Sequence, residues 1–230
     1  MVGATDAGLT QEVGVAAGGV RLRGRLVVPE GSQSMVVFAH GSGSSRHSPR
    51  NRYVADRLVR AGLGTLLLDL LTAAESADRR NVFDVALLAH RLLAVRGWLQ
   101  DHARLGTAQV GLFGASTGAA AALLAAAEPG SRIGAVVSRG GRPDLAASGL
   151  VRVTAPTLLV VGGDDPAVLE LTRRAAAMLR CVHRLVVVPG ATHLFEEPGA
   201  LETVAGVAAE WILRHLTADR PGEQTPGARP

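Results

Sequence analysis

The sequence predicts an α/β protein: a mostly parallel sheet of about seven or eight strands that begins with an antiparallel hairpin, with helices on both faces. Three observations lead there. Short runs rich in Val and Leu alternate with longer helical patterns, as successive βαβ units require. The first two apolar runs are separated only by Ala17-Gly18-Gly19, a hairpin-sized break. Hydrophobic residues make up 47% of the 230, enough to fill one large core at this length.

Taken in order, Glu12–Ala16 and Val20–Val28 form the hairpin. In its second strand Arg21, Arg23 and Arg25 alternate with Val20, Leu22 and Leu26, which places the arginines on one face, as on a solvated edge strand. Met35–His40 is a strand, followed by a Gly/Ser-rich loop and a helix over Asn51–Ala61. Leu63–Leu70 is a strand and Val82–Leu99 a long helix. Gln109–Phe113 is a strand running into Gly114-Ala115-Ser116-Thr117-Gly118 and an alanine-rich helix to Ala127. Ile133–Ser138, Thr157–Gly162 and Arg184–Val188 are further strands, with a helix over Ala167–Leu179 and a closing helix over Ala200–Leu216. Residues 1–216 thus read as one domain. The tail, 217–230, lacks apolar content and is expected to be disordered.

Composition removes several function classes. There is no lysine, so all 24 basic residues are arginine, and P-loop, pyridoxal Schiff-base and Tyr-Lys reductase chemistries are excluded. The sequence pI of 10.7 reflects that arginine usage, whereas the net charge is only +4. The arginines are dispersed and aromatics amount to 3%, which argues against a nucleic-acid binder. Cys181 is the single cysteine, so neither an internal disulfide nor a Cys-based zinc site is available. Met1–Gly14 has neither the basic start nor the apolar stretch of a signal peptide, and the most apolar run, Ala119–Ala127, is too short to span a bilayer. The expectation is a cytoplasmic protein without membrane or nucleic-acid partners, cofactor or metal.

The strongest chemical signal is Gly114-x-Ser116-x-Gly118 between a buried strand and a helix. At such a turn the serine oxygen stands above the sheet, the helix N-terminus points at it, and small flanking residues let strand and helix pass closely. A phosphate-cradling loop is the competing reading, but G-x-G-x-x-G is not matched and no acidic residue ends the next strand. A serine alcohol needs a base. Of seven histidines, His90, His102, His183 and His215 fall within or beside regular elements, and His47 lies in a loop where it could touch substrate. His193 follows the last strand, in a loop where open α/β sheets gather their sites. An acid must hold the base in its tautomer, and Gly162-Gly163-Asp164-Asp165 ends the penultimate strand with two carboxylates, only one of which can face His193. Asp144 is a further candidate. Two N–H donors must meet the tetrahedral oxyanion: that of Thr117, at the helix start, and that of Ser42, in His40-Gly41-Ser42-Gly43.

In these residues the sequence resembles the α/β-hydrolase superfamily and, within it, the compact dienelactone-hydrolase-like branch. The likeness spans roughly Gly24 to Leu216: the Val36-Val-Phe-Ala-His-Gly41 strand and loop, the serine turn, the Gly-Gly-Asp-Asp turn and the late histidine. The stretch Gly41–Asn51 is similar to bacterial hydrolase modules, some of which occur fused to phosphoribosyltransferase domains. The resemblance implies a Ser116–His193–Asp165 triad, because the family's acid ends a G-x-x-D turn. It departs at one point: dienelactone hydrolases carry Cys as nucleophile, so a serine esterase is implied instead of lactone cleavage. About eleven residues separate Ser138 from Leu150, too few for a helical cap, which implies an open site for small acyl esters. Amide, peptide or thioester cleavage with the same triad, and a non-catalytic binding module, are the alternatives. Arg46, Arg50, Arg139 and Arg142 lie in loops bordering the same cleft. They either grip an anionic substrate or brace loops through backbone carbonyls or Asp144.

Overall fold

The structure, a computed structural model, describes residues 8–216. The tail at 217–230 lies outside the described residues. Eight strands form one sheet: β1 Leu9–Ala17, β2 Val20–Val28, β3 Ser34–Ala39, β4 Gly64–Leu68, β5 Gln109–Ala115, β6 Ile133–Arg139, β7 Thr157–Gly162 and β8 His183–Val188. Their order is β1-β2-β4-β3-β5-β6-β7-β8. The β1–β2 and β2–β4 pairs are antiparallel; β4 to β8 across the sheet are parallel. The helices are α1 Pro49–Arg60, α2 Ala73–Ser76, α3 Arg79–Phe83, α4 Val85–Asp101, α5 Thr117–Ala127, α6 Ala147–Leu150, α7 Pro166–Met178 and α8 Ala200–Leu216.

The interior strands β3, β4 and β7, each flanked on both sides, are buried along their whole length, which explains their near-continuous apolar sequences. Strand alternation splits the core in two. Met35, Val37 and Leu112 pack with residues of α4, α5 and α7, whereas Val36, Phe38 and Phe113 pack with α1 and α8 on the other face. α5 is built of Gly, Ala and Leu after Thr117 and is buried almost all round, so α4 can lie against it. The β6–β7 connection holds only a 3₁₀ turn at Pro143–Ala146 and α6, which leaves the rim above β5 without a cap. Among the described residues, no helix is long and apolar enough to cross a membrane.

Two elements differ from the sequence expectation. The helix expected over Val82–Leu99 breaks at Asp84, whose side chain accepts the Leu87 N–H and caps α4; the preceding segment folds into α2 and α3. The arginine-bearing strand β2 is not an edge. β1 covers one side and β4 the other, and Arg21 and Arg23 stand at the C-terminal rim of β4, where Asp69 N–H donates to the Arg23 carbonyl.

Candidate active site

Strand β5 ends at Ala115 and α5 begins at Thr117, leaving Ser116 alone at the turn with φ 51° and ψ −121°. A non-glycine residue held there costs on the order of 1–3 kcal/mol, so its surroundings must impose it. Its N–H donates to the Arg139 carbonyl at 3.2 Å, and its carbonyl accepts from the N–H groups of Ala119 (3.0 Å) and Arg142 (3.2 Å). The flanking glycines are sterically required. A methyl at Gly118 would collide with the carbonyls of Ala39 and His40, and one at Gly114 with the Cα of Ala119.

The two residues after Gly163 carry the carboxylates, and they diverge. Asp165 is the N-cap of α7: its Oδ1 accepts the Val168 N–H at 3.4 Å while its Oδ2 lies 2.7 Å from Nδ1 of His193. Nδ1 therefore carries the imidazole proton and donates it, leaving Nε2 as the acceptor. Asp164 is exposed, and only its backbone takes part, donating to the Ala191 carbonyl at 2.9 Å. That bond ties the β7 turn to the His193 loop, which Gly162 permits by having no side chain against the Ala191 and Thr192 carbonyls. Phe195, buried to 1% exposure with φ 57°, anchors the far side of the loop. The His193 ring sits near Gly140, its Cε1 3.6 Å from where a Cβ on that glycine would stand, one strand over from the serine turn.

The loop after β3 abuts the serine, since a Cβ on Gly41 would lie 3.1 Å from Cβ of Ser116. His40 holds that loop. Its Nε2 accepts the Leu70 N–H at 3.2 Å, which places the proton on Nδ1, and Nδ1 donates to the Gly41 carbonyl at 2.9 Å. The Gly41 carbonyl and the Ser42 N–H share one trans peptide and point oppositely, so the Ser42 N–H is turned away from the His40 ring. Burial pushes the His40 pKa down, against smaller opposing effects of the Gly41 hydrogen bond and Asp69. His40 was not singled out from the sequence for a role of its own; its place at a strand end, directly before the loop glycine, is the local signal for one.

The four loop arginines are mostly engaged within the protein. Arg46 pairs with Asp69 at 2.5 Å, Arg50 with Glu196 at 2.7 Å, and Arg142 makes two bonds to Asp144 at 2.8 and 2.7 Å. The last pairing engages the Asp144 carboxylate, whereas the carboxylate on His193 is that of Asp165. Arg139 is buried to 7% exposure with no carboxylate partner among the described residues; Nη2 donates to Oδ1 of Asn51 at 3.2 Å and the guanidinium lies 5.9 Å from the centre of the Phe195 ring. Burial, with Arg50 nearby, pulls its pKa down to about 10. Asp69, Asn51 and Glu196 were not singled out from the sequence, and no local signal marks them.

A parallel sheet of this order, bordered by an antiparallel hairpin and carrying a left-handed serine between β5 and α5, defines the α/β-hydrolase fold. Within it the chain belongs to the dienelactone hydrolase family: the model of the "Dienelactone hydrolase family" matches residues 22–216. The chain is 52% identical to a dienelactone hydrolase from Anabaena variabilis ATCC 29413, whose crystal structure superposes with a TM-score of 0.88 over 91% of this chain and 99% of that one. Est1E from Butyrivibrio proteoclasticus, at 18% identity, shares the fold, with a TM-score of 0.76 over 90% of this chain and 99% of that one. Among curated proteins, two from Mycobacterium tuberculosis strains named "Putative phosphoribosyl transferase" are 59% identical over 211 residues, 92% of this chain. The chain spans about half the length of these relatives, 48%.

Proposed function

We propose that this protein hydrolyses small carboxylic esters through an acyl-enzyme intermediate. The observation that carries the reading is the 2.7 Å Asp165–His193 bond beside a serine held in a left-handed turn. His193 Nε2 takes the proton of Ser116 Oγ as that oxygen bonds to the ester carbonyl carbon. The oxyanion is met by the N–H groups of Thr117, at the start of α5, and of Ser42, turned outward by His40. As the carbon–oxygen bond to the alcohol breaks, His193 returns its proton to the leaving group. Water, deprotonated by His193, then releases the acid and restores Ser116. Asp165 holds His193 in the tautomer that makes Nε2 the base and stabilises the imidazolium.

An ester substrate is favoured by the family and by the uncapped rim above β5, which suits small or exposed acyl groups. Est1E, of the same fold, has been solved with ferulic acid bound. The transferase named for the mycobacterial relatives describes chains of about twice this length, so the ester reading is proposed for the matched half only. A fluorophosphonate probe tests it. Stoichiometric labelling of wild-type protein and none of Ser116→Ala, together with turnover of p-nitrophenyl acetate, is the expected result. An unlabelled protein that turns over no ester would leave a binding module in its place.

A further inference from the structure

Beside the serine turn, and sharing the His40–Arg46 loop with it, lies a cavity of about 810 Å³. Ser116 and His193 do not line it. Its walls come from the start of β2, the loop after β3, and the segment after β4 that carries α2. Three arginines, Arg21, Arg23 and Arg46, line it together with one acidic residue, Asp69. That carboxylate is already committed to Arg46, accepting from its backbone N–H at 2.8 Å and from its side chain at 2.5 Å. The Arg21 and Arg23 guanidiniums make no hydrogen bond or ion pair among the described residues. Two like charges on one strand of a concave wall repel each other, and Asp69, the carboxylate of that wall, is held by Arg46.

Arg21 is also placed, not merely exposed. Its side chain crosses the facing strand β1 over Gly14, where any side chain would collide with its Nε. A stem laid into such a slot loses less freedom when the guanidinium binds a ligand. The hydroxyls of Thr72, Ser45 and Ser76 in the same wall are spent on local bonds, whereas those of Ser42 and Ser44 make none. Leu71, Ala73, Val82 and Leu88 complete the wall with apolar surface.

We propose that this cavity binds a phosphomonoester group carried by the substrate, with Arg21 and Arg23 on its oxygens. Two unpaired guanidiniums match a dianion, where a carboxylate would neutralise only one, and the free Ser42 and Ser44 hydroxyls serve the additional oxygens of a phosphate. The apolar wall takes the organic part. Ser42 belongs both to this wall and to the loop against Ser116, so a ligand anchored here extends toward the nucleophile. That the ligand is the substrate of Ser116 rests on the hydrolase reading; the anion site itself does not.

The experiment is calorimetric titration of the full chain with phenyl phosphate, benzoate and inorganic phosphate. Phenyl phosphate is expected to bind at least tenfold more tightly than benzoate, with inorganic phosphate competing and added salt weakening both. In Arg21→Gln/Arg23→Gln, affinity for phenyl phosphate should fall at least tenfold, with an unchanged circular dichroism spectrum. Benzoate bound as tightly as phenyl phosphate, or a double variant that binds phenyl phosphate undiminished, would overturn the assignment. Fluorophosphonate labelling separates the two readings. A labelled, active esterase that ignores phenyl phosphate loses the anion site alone, and an unlabelled protein that binds it through these arginines loses the hydrolase alone.

Discussion

Asp165 binds both the first turn of α7 and His193: one carboxylate oxygen accepts the Val168 N–H and the other sits 2.7 Å from Nδ1 of His193. A side chain fixed by the helix it caps cannot swing away from the imidazole. The helix cap is thus the device that holds this carboxylate on the imidazole, and it sets Asp165 apart from its exposed neighbour Asp164.

From this, Asp165→Asn and Asp164→Asn should behave differently. The first presents an amide to Nδ1 and favours the wrong tautomer, and esterase kcat should drop on the order of 10⁴-fold. The second alters an exposed side chain and should stay within about threefold. Steady-state kinetics on a p-nitrophenyl ester decide it, and equal losses in the two variants would refute the assignment.

Ser116→Ala should remove turnover by about a millionfold, the scale on which a serine nucleophile is lost, while leaving the fold in place. Cys181 offers the contrasting case. Burial raises its thiol pKa, and it lies before β8 with Sγ 3.8 Å from Thr157 Oγ1, so maleimide should leave ester turnover unchanged. More than a few per cent of residual activity in the alanine variant would move the nucleophile elsewhere.

His40 predicts a pH dependence of stability. Its folded-state pKa lies below its ordinary value of 6.5, so between the two values the unfolded chain binds more protons and stability rises with pH. The contribution is fully present above about pH 6.5 and is lost as pH falls through the lower, folded value. Urea unfolding between pH 7.5 and 5 should show a shallower slope in His40→Asn than in wild type, by up to one proton. Parallel slopes would mean that the ring protonates without leaving its Gly41 and Leu70 partners.

The Arg139–Asn51 contact should be conditionally stabilising. Asn51→Ala strips a buried cation of its hydrogen-bond partner and should cost about 2 kcal/mol. Adding Arg139→Met removes the cation itself and should restore most of that loss, since a buried charge without a counter-ion is replaced readily by an apolar side chain. A double-mutant cycle by denaturant titration measures the coupling. Additive losses would show that the guanidinium does not depend on Asn51.

Features that depend on neighbours along the chain are legible in the residues alone. Val- and Leu-rich runs mark β3 to β7 because strands buried on both faces need no polar alternation. The Gly114-x-Ser116-x-Gly118 turn is legible because the close passage of strand and helix is settled within five residues. The placement of His193 after the last strand followed from the topology of parallel sheets. Which charges meet is set by the folded chain. Arg46 and Asp69 lie 23 positions apart, Arg139 and Asn51 88, and Arg50 and Glu196 146, so nothing in their local sequence pairs them. The same holds for Arg21 and Arg23. Period-two alternation correctly puts them on one exposed face, but whether that face also borders a cavity depends on where β2 inserts in the sheet. Since β1 takes the edge and the segment after β4 folds back over the rim, these exposed arginines border a cavity.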